Sequence, residues 1–151
     1  RQLNSYRART VGFVFQFYHL LPELTVLENA ALPGFVPGGI GGDAATQQAK
    51  TLLDRFGLSH RLNHRPRELS GGERQRTAIA RAMVNGPEVL LADEPTGNLD
   101  EHTGGEILDL LSEAHRDGLT IVMVTHDQLI ADRADRAIQL ADGVLAAANP
   151  I

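Results

Sequence analysis

The chain has 151 residues, 42% of them hydrophobic, which is enough for one domain with a real core and too little for two ordinary ones. A formal charge of -5 argues against the basic face that a general nucleic-acid binder needs, so no nucleic-acid partner is expected. There is no cysteine for a disulfide framework or a thiolate metal site, and no apolar run approaches the roughly 20 residues that cross a bilayer, so membrane contact is expected only through partners.

The first apolar run, Val11-Gly12-Phe13-Val14-Phe15, ends at Gln16. Unbroken rather than alternating apolarity is what a parallel strand buried on both faces shows, and a strand is expected there. Residues 33–42 hold two prolines and five glycines and read as a mobile loop. Overlapping its end, Gly39 to Ala44 matches the glycine spacing of the dinucleotide fingerprint, but no convincing strand precedes it, so a loop is the better reading. Helices are expected over residues 44–57 and 71–84.

The second of these helices opens in Leu69-Ser70-Gly71-Gly72-Glu73. Ser70 and Glu73 have the spacing of a capping box, in which serine hydroxyl and glutamate carboxylate satisfy orphan backbone donors. Capping leaves Gly71 and Gly72 unexplained, because each glycine costs about 1 kcal/mol relative to alanine in a helix. Glycines at a helix start also let an anion approach the exposed N–H groups and the positive end of the dipole, and a phosphate is the natural guest. The pentapeptide alone leaves both readings open.

Val89 to Ala92 is a second unbroken apolar run, and it ends in the acidic pair Asp93-Glu94, just before the Pro95-Thr96-Gly97 turn. Neighbouring residues on a strand point to opposite sides, so the two carboxylates are expected to do different jobs. Asp93 suits a hard cation such as Mg2+, which takes one or two carboxylates with waters and substrate phosphates. Glu94 suits a general base on an attacking water. The plain alternative is an acidic loop edge that only solubilises. A helix is expected over residues 103–117 behind a capping box from Thr103 to Glu106, followed by a third strand, Ile121 to Val124, that ends at Thr125-His126. His126 could be structural, but its place at a strand end between Thr125 and Asp127 favours a functional role. A last strand from Ala137 to Ala141, the Asp142-Gly143 turn and a strand from Val144 complete the chain. Strands alternating with helices argue for a mostly parallel sheet, whose ligands gather beyond the strands' carboxyl ends, so Gln16, Asp93, Glu94 and His126 are expected on one rim.

In this order and spacing the segments closely resemble the nucleotide-binding subunit of an ATP-binding-cassette (ABC) transporter: a glutamine at Gln16, the LSGGE signature at 69–73, the strand and carboxylates at 89–94, Gly97-Asn98-Leu99-Asp100, and a histidine at His126. The resemblance implies an α/β P-loop NTPase core with a mostly parallel sheet and a helical signature subdomain, and it implies ATP and Mg2+ as cofactors. It implies that Gln16 senses the γ-phosphate, the metal and the water, that Asp93 supports Mg2+, that Glu94 activates water and that His126 holds the γ-phosphate. It further implies that Ser70, Gly71 and Gly72, with Glu73 completing the signature, face ATP held by a second ATPase subunit in a head-to-tail homodimer, and that Asp100 communicates across it. Integral membrane permease subunits are the other implied partners, which would place the protein peripherally on the cytoplasmic face of the bacterial inner membrane.

The segments Phe15 to Pro22, Thr25 to Asn29 and His60 to Pro66 most resemble the lipoprotein-releasing ATPases, with macrolide-export and cell-division ATPases as the near alternatives. The G-x-x-x-x-G-K-[ST] phosphate loop does not occur in these residues, and Lys50 lies in an expected helix. The expectation is therefore a partial ATPase domain, with residues 20–86 as signature subdomain and residues 1–19 and 87–151 as parts of the core, lacking the N-terminal strand and phosphate loop. Alone it would bind ATP weakly and not hydrolyse it, or would only offer its signature helix to an intact partner.

Overall fold

The computed structural model describes residues 8–150; residues 1–7 and 151 of the expected core segments lie outside them. Three parallel strands, β1 (Val11–Val14), β2 (Val89–Asp93) and β3 (Thr120–Val124), pair in the order β1-β2-β3. In register, Gly12, Leu90 and Ile121 form one row and Val14, Ala92 and Met123 the next row on the same face. Three helices, α1 (Val26–Ala31), α2 (Gly42–Arg55) and α3 (Gly71–Met83), make the crossover from β1 to β2, and α4 (Glu101–Arg116) makes the one from β2 to β3. A short helix α5 (Gln128–Ala131) leads to an antiparallel hairpin, β4 (Arg136–Ala141) and β5 (Val144–Pro150), which among the described residues pairs with no other strand.

One core runs through the sheet and the helices, joining Val14, Leu90 and Ala92 to Ile79 and Ala80 of α3, Ile107 and Leu111 of α4, Leu53 of α2 and Val26 of α1. Gly12 allows the close approach of β1 to α3, since a Cβ there would lie 2.4 Å from the Ala82 carbonyl oxygen.

Three expectations need correction. The apolar strands are buried on one face only: Phe13, Val122 and Val124 are 49%, 51% and 61% exposed, because the helices lie over the face of Val14 and Leu90 and no described element covers the other. Residues 33–42 are not a free loop. They form a turn of 3-10 helix at Leu32–Gly34, and Asn85 donates to the Pro33 carbonyl (3.0 Å) and accepts from the Ile40 N–H (3.3 Å). Helix α4 is not capped by Thr103 and Glu106. It starts two residues earlier, where Asp100 accepts from the Thr103 N–H (3.0 Å), and Glu106 instead receives Arg76 (3.1 Å).

Candidate functional site

The C-terminal ends of β1, β2 and β3 deliver Gln16, Asp93-Glu94 and His126 to one rim, as the strand pattern requires. Glu94 has left the strand. Its φ of 45° is left-handed, which costs roughly 1–2 kcal/mol in a residue with a Cβ and persists only where its surroundings hold it. Here the Glu94 N–H donates to the Val124 carbonyl (3.0 Å) and the Gly97 N–H to the Glu94 carbonyl (3.1 Å). The turn swings the carboxylate toward β3, where one oxygen accepts the His126 backbone N–H (3.0 Å) and meets His126 Nδ1 (2.5 Å). Hydrogen bonding to that carboxylate, and then its charge, raise the His126 pKa above the usual imidazole value.

Gln16 approaches the turn that carries Glu94, at Gly97. A Cβ on Gly97 would lie 3.0 Å from Gln16 Nε2 and 3.4 Å from Glu94 Cβ, so the amide lies over Gly97 beside Glu94. Asn98 donates to the Gln16 carbonyl (2.8 Å). Asp93 is exposed at the end of β2. The described residues contain no group of three or more side chains able to cage a metal, and one exposed carboxylate at a strand end fits Mg2+ only as it binds together with substrate phosphates and water.

Ser70 to Glu73 form a second cluster. The capping box is present: Ser70 Oγ accepts the Glu73 N–H (3.2 Å), and Glu73 Oε2 accepts the Ser70 N–H (2.8 Å). The other Glu73 oxygen takes Arg61 Nε (2.9 Å). Burial works to raise the Glu73 pKa, but the Ser70 N–H and Arg61 outweigh it and hold the carboxyl below its usual range. The glycines also have a reason inside this chain. A Cβ on Gly72 would come within 2.5 Å of Thr103 Cγ2, and one on Gly71 would press on Leu99 (3.1 Å) and the Tyr18 hydroxyl (3.3 Å). Asp100 is committed to the α4 cap through the Thr103 N–H and Oγ1, which lower its pKa. Among the described residues no hydrogen bond joins Ser70 to Glu73 directly to Gln16, Glu94 or His126.

Helix α3 ties both clusters together through residues that sequence reasoning passed over. Gln75, fully buried, donates to the Pro95 carbonyl (2.6 Å), next to Glu94. Arg81 donates to the carbonyls of Tyr18 and His19, just after Gln16. Their acceptors are main-chain carbonyls, which carry no mark in a sequence; only burial of a glutamine within an amphipathic helix could have pointed to Gln75.

The family model for ABC transporters matches residues 2–97. The lipoprotein-releasing system ATP-binding protein LolD of Syntrophus aciditrophicus is 53% identical over 95% of this chain, and this chain spans 64% of it. The macrolide export ATP-binding/permease protein MacB of Bartonella henselae is 49% identical over 98% of this chain, which spans 22% of that protein. The dimeric structure of MJ0796, a bacterial ABC transporter cassette, superposes with a TM-score of 0.84 at 42% identity, covering 99% of this chain and 66% of its own. A post-hydrolysis state of that cassette bound to ADP and Pi matches equally well, with a TM-score of 0.84 at 41% identity. The fold is that of the P-loop NTPase cassettes, and the chain belongs to the ABC transporter family.

Proposed function

We propose that these residues belong to the ATP-binding and ATP-hydrolysing subunit of an ABC transporter. The observation that carries the reading is the convergence of a left-handed Glu94, its bonded His126 and the Gln16 amide at the ends of three adjacent parallel strands. Glu94 has the position of a general base on water. Gln16 orients that water and senses the γ-phosphate, and His126 is a donor to the same phosphate. Asp93, with Gln16, would hold Mg2+, whose chemistry is to neutralise charge on the phosphates. Ser70, Gly71, Gly72 and Glu73 face ATP on the opposite subunit of a head-to-tail homodimer, and Asp100 lies at that contact. The subunit has a signature part at residues 20–86 and core parts on either side.

No described helix is long and apolar enough to cross a membrane. The likeness to transporter ATPases supports permease subunits, at the cytoplasmic face of the inner membrane, as the partners that receive the work. The exposed Phe17 and Leu21, following Gln16, supply apolar surface for that contact. For cargo we favour lipoprotein release, carried by the 53% identity to LolD and the His60 to Pro66 segment. Macrolide export is the second reading, carried by the 49% identity to MacB; capture of the permease that co-purifies with the full-length protein separates them.

Glu94→Gln in the full-length protein tests the reading. Binding of MgATP should persist, hydrolysis should nearly vanish and an ATP-bound dimer should accumulate. Turnover at the wild-type rate would move the base elsewhere.

A further inference from the structure

Two residues after Gln16 the backbone does something costly. Tyr18 (φ 55°) and His19 (φ 47°) are consecutive left-handed residues and neither is glycine. Such residues persist where the surroundings over-determine them, and they cluster at functional sites. The segment has few local supports, a 3.3 Å bond from the Tyr18 N–H to the Phe15 carbonyl and a tight one from the His19 N–H to the Phe17 carbonyl.

The main support comes from more than 60 residues away. Arg81, in the last turn of α3, donates through Nη2 to the Tyr18 carbonyl (2.6 Å) and through Nη1 to the His19 carbonyl (2.5 Å). The two-residue left-handed turn presents successive carbonyls to one side, and the planar guanidinium fork suits such a pair where a lysine ammonium, a single point donor, does not. Arg81 is half-buried, and burial disfavours its charge, so the two carbonyls replace lost water. On the far side Asn98 holds the Gln16 carbonyl (2.8 Å). Gln16 is thus fastened from both directions, with its amide laid over Gly97.

We propose that Arg81 is a positioning residue for Gln16: by clamping the left-handed Tyr18-His19 carbonyls it fixes the path of the chain that carries the Gln16 amide to Glu94. The assignment rests on the ATPase reading of that site. Arg81 touches neither substrate nor Glu94, so its effect must run through Gln16.

The test uses the full-length protein with its permease. Arg81→Lys keeps the charge and the apolar stem but loses the fork. It should lower kcat at least tenfold, leave KM for MgATP within about twofold and lower Tm by only a few degrees. In a Gln16→Ala background Arg81→Lys should add little further loss, because the two act as one unit. Glycine accepts a left-handed backbone without steric cost, so His19→Gly should restore much of the kcat of Arg81→Lys, and His19→Ala should not. An unchanged kcat in Arg81→Lys, full additivity with Gln16→Ala, or equal behaviour of glycine and alanine at position 19 would each overturn the assignment while leaving the ATPase reading intact. Absence of MgATP turnover in the wild-type protein would overturn that reading, and this assignment with it.

Discussion

Gly72→Ala should destabilise the protein, against the rule for helices. By propensity the change removes a glycine from α3 and gains up to about 1 kcal/mol. In the structure the new methyl would sit 2.5 Å from Thr103 Cγ2, where ordinary contact begins at 3.4 Å. Thr103 cannot simply rotate away, because its Oγ1 donates to Asp100 Oδ2 (2.7 Å) and its N–H donates to Asp100 Oδ1 (3.0 Å) within the α4 cap. Relief requires either separating α3 from α4, an overpacking cost of about 1–3 kcal/mol, or giving up part of a cap worth about 1 kcal/mol. The net expectation is a loss of about 1–2 kcal/mol, or about 2–8 °C in Tm at this chain length. Thr103→Ser removes only the offending methyl and keeps the hydroxyl. Urea denaturation of the two single variants and the double variant closes a cycle, and Thr103→Ser should recover about 1 kcal/mol or more of the loss. Gly72→Ala at or above wild-type stability, or a double variant no better than Gly72→Ala, refutes the packing argument and returns Gly72 to a ligand role alone.

Two further outcomes follow from single buried or paired groups. Asn29 is fully buried; its Oδ1 accepts the Leu21 N–H, and its Nδ2 donates to the carbonyls of Leu21, Leu24 and Thr25. The Leu21 and Thr25 carbonyls also accept the backbone N–H groups of Leu24 and Asn29, so Asn29→Ala strands the Leu21 N–H and the Leu24 carbonyl and should cost about 2–4 kcal/mol in equilibrium unfolding; a loss below about 1 kcal/mol would mean water replaces the amide. The His126 pKa is raised by the Glu94 hydrogen bond and then by its charge. The stabilisation this pair brings is therefore full below the unfolded imidazole value near 6.5 and is lost as pH rises through the higher folded value. NMR titration of the His126 ring should give a pKa above 6.5 that falls back toward 6.5 in Glu94→Gln, and an identical titration in both proteins would show that the pair does not form.

The strands and the three long helices were legible because their signals are local, whereas the short helices α1 and α5 were not expected from the sequence. Val11 to Val14, Val89 to Asp93 and Thr120 to Val124 lie within a residue of the apolar runs, and α3 ends at Met83, one residue before the expected Val84. What failed was what local pattern does not encode. An apolar run states that a strand tolerates burial on both faces, not that both faces are covered, and Val124 at 61% exposure marks the difference. The cap of α4 went to Asp100 because any Asp, Ser or Thr three residues ahead of a free N–H competes for it, and Asp100 reached the earlier one. Residues 33–42 have loop composition, yet Asn85, from beyond α3, pins them by two hydrogen bonds.

Those long-range bonds alter how α3 should be regarded. Its polar residues look in sequence like the solvated side of an amphipathic helix, yet most reach another element: Glu73 to Arg61, Gln75 to Pro95, Arg76 to Glu106, Arg81 to Tyr18 and His19. Two of these targets flank the residues of the strand-end cluster, Pro95 after Glu94 and Tyr18 shortly after Gln16. Ser70, Gly71 and Gly72 form the start of the same helix. A rigid helix cannot shift at its N-terminus while Gln75 and Arg81 stay still, unless their hydrogen bonds break or their acceptors follow. Breaking the Gln75 bond would leave the Pro95 carbonyl unpaired beside a glutamine whose Oε1 already lacks a partner among the described residues. Since stranding a buried polar group costs about 1–3 kcal/mol, the cheaper course is for the Pro95 and Tyr18-His19 segments to move with the helix, carrying Glu94 and Gln16. A coupling of this kind predicts non-additivity between changes at Ser70 and changes at Gln75, whereas a passive amphipathic helix predicts that the two simply add.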